Sequence, residues 1–313
     1  MTIAARQQAI WAKIESAYNT DPTPAGDDFV EVENLQPNPA ESARLIERNL
    51  IQSSLAPRRP QYGGSLFGFT FDVEVKGSGS AGTAPRIGAL LRACGLAETV
   101  AAGVSVTYEP SSDVANHDSV TIYYKEGPNL RKVTGCRGTV TFNLEPGQRI
   151  MASFTMMGHI NQESQTSAPA QTAESTLPPP FLGASFQADS FSVPISALAV
   201  DLSNTMGIAP DPNASDGFGE IRVTARAIQG SFDPEAQGIA TKDFIGQFRS
   251  ATAFAIQTGV LGSAAGNRVA FSMPECQYTN VGYGEREALL TYDLSYGAYP
   301  TSSGDDDLAI QFT

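Results

Sequence analysis

Few side chains in this 313-residue chain are of types that perform chemistry, and their spacing matches none of the common catalytic sets. A general base would have to be His117 or His159, the two histidines present. His117 lies in Asn116-His117-Asp118 between predicted strands, where a solvated loop position is expected, and His159 ends a predicted strand at a sheet edge. Cys94, Cys136 and Cys276 are far apart and form no C-x-x-C pair, which favours reduced thiols over a disulfide framework or a zinc site. No G-x-S-x-G elbow, Walker loop or H-E-x-x-H pair is present. Gly77, Gly79 and Gly82 follow a strand and precede a helix, as a phosphate loop would, but their spacing fits neither nucleotide fingerprint and flexible connection accounts for them. The run Asp305, Asp306, Asp307 lacks the ligand spacing of a calcium loop and reads as a solvated terminus. The chain is therefore expected to act without catalysis, metal or cofactor.

The elements around these residues are mostly strands. From Leu66 to Glu98 the apolar positions Phe67, Phe69, Phe71, Val73 and Val75 alternate with Thr70, Asp72, Glu74 and Lys76, the pattern of a sheet with one dry and one wet face. A short helix follows, opened by Thr83 and Pro85, carrying Ile87, Leu90, Leu91 and Cys94 at helical spacing and closed by Gly95. Strands are predicted over 104–108, 119–125, 132–144 and 150–160, the last two joined at Glu145-Pro146-Gly147. Upstream, residues 4–18 place Ile10, Trp11, Ile14 and Tyr18 at the spacing of an amphipathic helix, stopped by Asn19, Pro22 and Pro24. That helix either folds back on its own domain or docks on a neighbour. Residues 44–51 read as a strand or short helix, and 56–64 as a turn region.

Residues 161–184 are poor in apolar side chains and end in Pro178, Pro179 and Pro180, which marks a linker or surface loop. Beyond it the order strand, helix, then four strands returns. Residues 220–232 form the strand, with Arg222, Thr224 and Arg226 on its wet face. Thr241 caps the helix, Asp243 sits in its first turn and Phe244 and Phe248 pack at i, i+4, and strands follow at 254–258, 268–273, 277–283 and 288–297. A separation of roughly 155 residues is a domain-sized period. The chain is accordingly read as an internal duplication: an N-terminal arm over 1–28, a first β module over 29–160, a linker over 161–185 and a second β module over 186–313. The alternative is two unrelated α+β domains.

Acids outnumber bases 33 to 20, for a formal charge of −13, so sequence-specific binding of nucleic acid is disfavoured. The opening residues carry no continuous apolar stretch, and no membrane-spanning segment is expected.

Several stretches resemble the tail tube proteins of long, non-contractile-tailed bacteriophages: GSGSAGTAPRIGALLRACGLAE with VTYEPSS and DSVTIYYKEG after it, then LRKVTGCRGTVTFNLEPGQ. In the second half GNRVAFSMPECQYTNVGYGEREALLTYDLSYGA and SSGDDDLAIQFT are similar, as is the opening AKIESAYNTDPTP. The resemblance is weakest across 161–213. It implies a mainly β, sandwich- or barrel-like fold with short flanking helices. It also implies a structural, non-enzymatic virion protein, assembled in the host cytoplasm, whose rings stack into the tube through which the genome is ejected. The implied partners are further copies of the chain, the tape measure protein, the tail terminator and distal tail proteins, with genomic DNA passing through unbound and no membrane involved.

With two modules per chain, three copies could close a pseudo-sixfold ring; the rival is a true hexamer with the second half outside. Thr70, Asp72, Glu74, Arg222, Thr224 and Arg226 are then candidates for the lumen face, the alternative being an outer solvated face. Ile10, Trp11, Ile14 and Tyr18, and the 161–184 loop, are candidates for contact between rings. A virion decoration or carbohydrate-binding module would share the β-rich, non-catalytic pattern, with Tyr123, Tyr124, Tyr278 and Tyr283 as its exposed aromatic cluster.

Overall fold

The computed structural model describes residues 7–313. Its strands, in order, are β1 (Gln8–Ile14), β2 (Phe29–Val30), β3 (Val32–Glu41), β4 (Leu45–Arg48), β5 (Arg58–Tyr62) and β6 (Leu66–Glu74). Helix α1 (Gly88–Ala93) leads to β7 (Leu96–Ala101), β8 (Ser105–Pro110), β9 (Val120–Glu126), β10 (Asn129–Leu144) and β11 (Met151–Ser164). Next come β12 (Gln187–Ala188), β13 (Leu198–Asp201), β14 (Thr205–Pro210), β15 (Phe218–Ala225), β16 (Gln229–Phe232) and α2 (Phe244–Ser250). The chain ends with β17 (Phe254–Gln257), β18 (Val269–Arg286), β19 (Leu289–Ala298) and β20 (Ala309–Phe312). Strand makes up 49% and helix 6%, so the fold is mainly β and antiparallel.

Eight strands form one unbroken run, β3-β6-β11-β10-β13-β16-β19-β18. Its apolar face is built by alternation: Val73, Ala152, Phe142, Val200, Tyr296 and Tyr278 are successive cross-strand partners or near partners, and all are buried. Gly230 occupies this row between Val200 and Tyr296, because the Tyr296 phenol passes over it to donate to the Ala199 carbonyl at 2.9 Å. A Cβ on Gly230 would meet that carbonyl at 2.1 Å.

β10 turns the sheet around this core. Its first half pairs with β9 and its last four residues pair with β13, with register breaks between Thr134 and Arg137 at the change. Gly135 sits in the break at φ +63°, a conformation that glycine adopts without strain. The bend brings Tyr124 of β9 across to Phe69 of β6, with ring centroids 5.8 Å apart, although two strands separate them in the sheet. Phe142 likewise meets Phe271 of β18 at 5.2 Å. The result is a sandwich- or barrel-like shell around one core that draws on residues from β1 to β20.

α1 covers the core with Leu90, Leu91 and Ala93, flanked by buried Ile87 and Cys94, and Gly95 follows at φ +81°. All three cysteines are buried free thiols, and burial pushes the Cys276 thiol up to about 12. α2 departs from expectation at both ends. Asp243, not Thr241, is its cap and accepts from the Gly246 amide at 2.7 Å, while Phe244 is buried and Phe248 is exposed.

The expected N-terminal helix is a strand over Gln8–Ile14 followed by a turn, and residues 4–6 of that expectation lie outside the described residues. β1 pairs with β9 along its whole length and with β2 on its other side, burying Ile10 and Trp11 completely. Apolar residues at i, i+1 and i+4 satisfy a helix, but burial on both faces favours a strand with Ala9 and Trp11 on one side and Ile10 and Ala12 on the other. Two further expectations are corrected. The predicted strand over 220–232 is two strands in different sheets, broken at residues 226–228, and the turn region over 56–64 contains β5, which pairs with β4.

Trp11, the one tryptophan, packs on Phe29 and donates to the Ala170 carbonyl at 2.9 Å. Trp11→Ala is expected to destabilise the chain by about 3–5 kcal/mol, measured by chemical unfolding. An unchanged unfolding midpoint would mean that the segment is not an integral strand.

Candidate assembly interface

The second face of the eight-stranded run is polar from edge to edge. One cross-strand row reads Glu33, Asp72, Ser153, Thr141, Asp201, Gln229, Gly297, Gln277. The next row reads Glu74, Met151, Asn143, Ala199, Ser231, Ser295, Asn280. Neither row contains a lysine or arginine. Asp72 accepts from Ser153 Oγ at 2.6 Å and from Asn34 Nδ2 at 2.7 Å, and Arg149 at the rim bridges Glu33 and Glu74 at 2.7 Å each.

Thr70, Asp72 and Glu74 lie together on this face. Arg222, Thr224 and Arg226 do not join them, because β15 belongs to a separate two-stranded sheet with β14 and Arg226 follows its end. Within 220–232 the residues that do share the polar face are Gln229 and Ser231 of β16. Alternation across 220–232 hid them, since the chain leaves one sheet and enters another without a turn signal in sequence.

The β14–β15 hairpin lies over β10 and β11. Arg137, buried on β10, pairs with Glu220 at 2.8 Å and donates to the carbonyls of Ile221 and Asp118. Tyr18 accepts from the Ile221 amide at 2.8 Å, and its ring lies 5.1 Å from the Arg137 guanidinium. His159 bridges the Tyr18 hydroxyl at 3.0 Å and the Asp216 carboxylate at 2.7 Å, so it is a buried fastener. Phe218 and Ile221 close a small apolar cluster on Leu66, with Met157 against it. At the hairpin's root Arg226 is held between Asp305, at 2.6 Å, and Asp307, at 3.0 Å. The acidic run read as a solvated terminus is therefore engaged: Asp307 is buried, and Asp306 accepts from Thr301. His117 is half-buried, with Nε2 2.8 Å from the Ser111 carbonyl, rather than a solvated loop residue.

Ile10 and Trp11 are spent inside the subunit, and Tyr18 is occupied by His159 and Ile221. Ile14 is half-buried against the main core. The segment read as a linker also lies on its own subunit: Glu174 meets Lys76 at 3.3 Å and Arg86 at 3.5 Å, and Phe181 is buried. Of the tyrosines offered as an aromatic cluster, Tyr123, Tyr124 and Tyr278 are buried and Tyr283 is exposed.

Within the eight-stranded run, two stretches of strand edge remain open among the described residues. β3 pairs with β6 alone. Cys276 of β18 has Phe254 of β17 on one side and Ala298 of β19 on the other. Past that point β17 ends, and residues 277–286 pair with β19 only.

A family model described as phage tail tube protein matches residues 5–313. The chain belongs to the phage tail tube protein family. No curated protein matches it. Membership makes the chain a structural component of a phage tail, in a family that is generally non-enzymatic. For a tail tube protein a polar face, fastened hairpins and open edges are the features to weigh, in place of a catalytic pocket.

Burial pushes the Glu220 carboxyl up, but hydrogen bonds from Arg222 and Arg137 outweigh it and hold the group below the usual carboxylate range. A depressed folded-state pKa stabilises the docked hairpin fully above the ordinary glutamate value and loses that contribution as pH falls through the folded one. Proteolytic nicking of residues 210–217 is therefore expected to rise between pH 5 and pH 3, and Glu220→Gln is expected to remove most of that pH dependence.

Proposed function

We propose that the chain is a ring-forming tail tube subunit whose copies join edge to edge, so that the polar face lines a conduit for the phage genome. One observation carries the reading: the joint between β10 and β13. There Thr141–Leu144 pair antiparallel with Leu198–Asp201, and the Leu202 amide donates to the Val140 carbonyl at 3.1 Å. On one side of the joint the strands run β3-β6-β11-β10, and on the other β13-β16-β19-β18.

Apart from the β7–β8 hairpin that the first set adds between its helix and β9, each set is made in the same chain order. A hairpin, β4–β5 or β14–β15, is inserted after the first strand, and a helix, α1 or α2, follows the second. A strand, β9 or β17, then precedes the long hairpin β10–β11 or β18–β19 and flanks its first strand. This parallel supports a duplication with equivalent four-stranded units.

The open edges are the counterparts of the joined ones: residues 277–286 of β18 correspond to the end of β10, and β3 corresponds to β13. An intermolecular joint of β18 to the next copy's β3 repeats the internal one. Pro37 and Pro39 fit a short joint, because they lack donors and leave Val32–Gln36 as the part of β3 able to pair. Three copies then supply six units around one axis. The polar rows, acidic or neutral and free of lysine and arginine, repel phosphate and let DNA slide. Tape measure, terminator and distal tail proteins are the partners that such a tube requires inside and at its ends, and assembly in the host cytoplasm follows from the same reading.

End-on electron microscopy of the concentrated protein is expected to show hollow rings of three chains with pseudo-sixfold outline. Rings of six chains, or compact monomers alone, would overturn the reading. Asp72→Lys with Asp201→Lys is expected to leave tubes intact while making them retain duplex DNA in a gel-shift assay, which the unaltered tubes do not.

A further inference from the structure

The β4–β5 hairpin has no packing partner of its own kind. Every residue of β4 and β5 is exposed, and the loop between them presents Leu50, Ile51 and Leu55 at 56%, 106% and 107% exposure. Its charge is also out of character with the chain. Residues 42–64 carry Arg44, Arg48, Arg58 and Arg59 against Glu47, a net of +3, which leaves −16 on the remainder of a chain whose total is −13. An apolar-tipped cationic hairpin on an acidic body is complementary to another copy of that body.

The second hairpin shows where such an element goes. β14–β15 belongs to the second unit, yet it lies across the first, on Arg137 of β10 and His159 of β11. That is the middle of the β10–β11 hairpin, at its register break between Thr134 and Arg137. The β14–β15 turn also reaches the root of β4–β5: Arg44 donates to the Gly217 carbonyl at 3.1 Å, and its guanidinium lies 3.8 Å from the Phe218 ring centroid.

The same two places in the second unit are unfilled. At the register break of β18–β19, between Tyr278 and Asn280, Thr279 lines a cleft of about 600 Å³ with Gly297, Ala298 and Tyr299. Its other walls are the root of β14–β15, from Val223 to Gln229, and, from the first unit, Gly95, Ser111, Ser112 and His117. The cleft thus combines the counterpart of the β10–β11 docking ground with the counterpart of the Arg44 contact.

We infer that the β4–β5 hairpin of one copy lies across β18–β19 of its neighbour in the same ring, with Leu50, Ile51 and Leu55 seated in this cleft. The inference rests on the ring reading above and deepens it. It makes the contact lateral, within a ring, and it names the partner as the second unit of the adjacent copy.

The test combines Ile51→Cys with Thr279→Cys in the full chain, where the three native thiols are buried. Assembled rings are oxidised and separated on a denaturing gel, with each single variant as control. Lateral docking links copies head to tail, so the ladder is expected to end at the number of chains that end-on images count in one ring. Absence of linkage in rings that otherwise form would overturn the inference. A ladder running past that number would also overturn it, because it would place the hairpin on a stacked ring. Both results leave the ring reading standing, whereas monomers from the unaltered chain would remove both. In a second variant Leu50, Ile51 and Leu55 are replaced together by Ser. It is expected to fold with unchanged melting and to lose ring formation roughly tenfold or more at equal concentration. Undiminished ring assembly by that variant would overturn the inference.

Discussion

A strand that ends a sheet leaves a row of backbone amides and carbonyls without partners, and everything else in this molecule is arranged around where those rows are allowed to stay open. Inside the chain the end of β10 is capped by β13, the start of β10 by β9, and β9 in turn by β1. The C-terminal strand β20 fills the gap between β18 and β8, which ties the last residues to an early hairpin. Within the eight-stranded run the two open stretches, on β3 and on residues 277–286, are the places where pairing is left to a neighbour in the proposed ring. Their edges carry the usual defences against indiscriminate pairing: two prolines and two glutamates on β3, and a bulge near Thr279 with Glu285 and Arg286 on β18.

Backbone pairing over four residues is a modest source of affinity. Each hydrogen bond contributes about 0.5–1.5 kcal/mol net, so such a joint is worth only a few kcal/mol. Association costs about 4–15 kcal/mol in lost translational and rotational freedom. The internal joint escapes this cost because its two halves are covalently linked, and even so it is reinforced by the whole of β14–β15, with Arg137, Tyr18 and His159 beneath it. A joint between separate chains needs reinforcement more, not less. The exposed apolar tip of β4–β5, inserted directly after the open-edged β3, is the element that the proposed joint has available for it.

Much of the shell was legible in the sequence. Strict alternation marked β6, β10 and β11, and helical spacing with a following glycine marked α1, because each has one buried and one exposed face. Where both faces are covered, that signal fails. β1 is buried on two sides, so Ile10, Trp11 and Ile14 matched a helical template better than an alternating one. The polar face was half legible: Thr70, Asp72 and Glu74 were readable from β6, whereas Gln229 and Ser231 were masked by the continuous alternation that runs from β15 into β16. The open edges were not legible at all. Pairing partners depend on register and on which neighbour a strand finds, and neither leaves a mark in composition or periodicity.

Duplication within one chain changes the assembly problem as well as the architecture. When two units are already joined, half of the joints in a closed ring form during folding, at the high effective concentration that a short tether provides. In the proposed ring the remaining joints are all of one kind, between the second unit of one copy and the first of the next, so one edge and one hairpin can be tuned without altering the internal joint. The sequence shows that freedom in use. The internal hairpin is fastened by a buried arginine, a tyrosine and a histidine, interactions that are costly to form and costly to break. Its counterpart carries exposed leucine, isoleucine and arginine, which remain soluble on a free subunit and gain burial only when a neighbour arrives. In the proposed ring that asymmetry lets one hairpin fasten within the chain while the other fastens between chains.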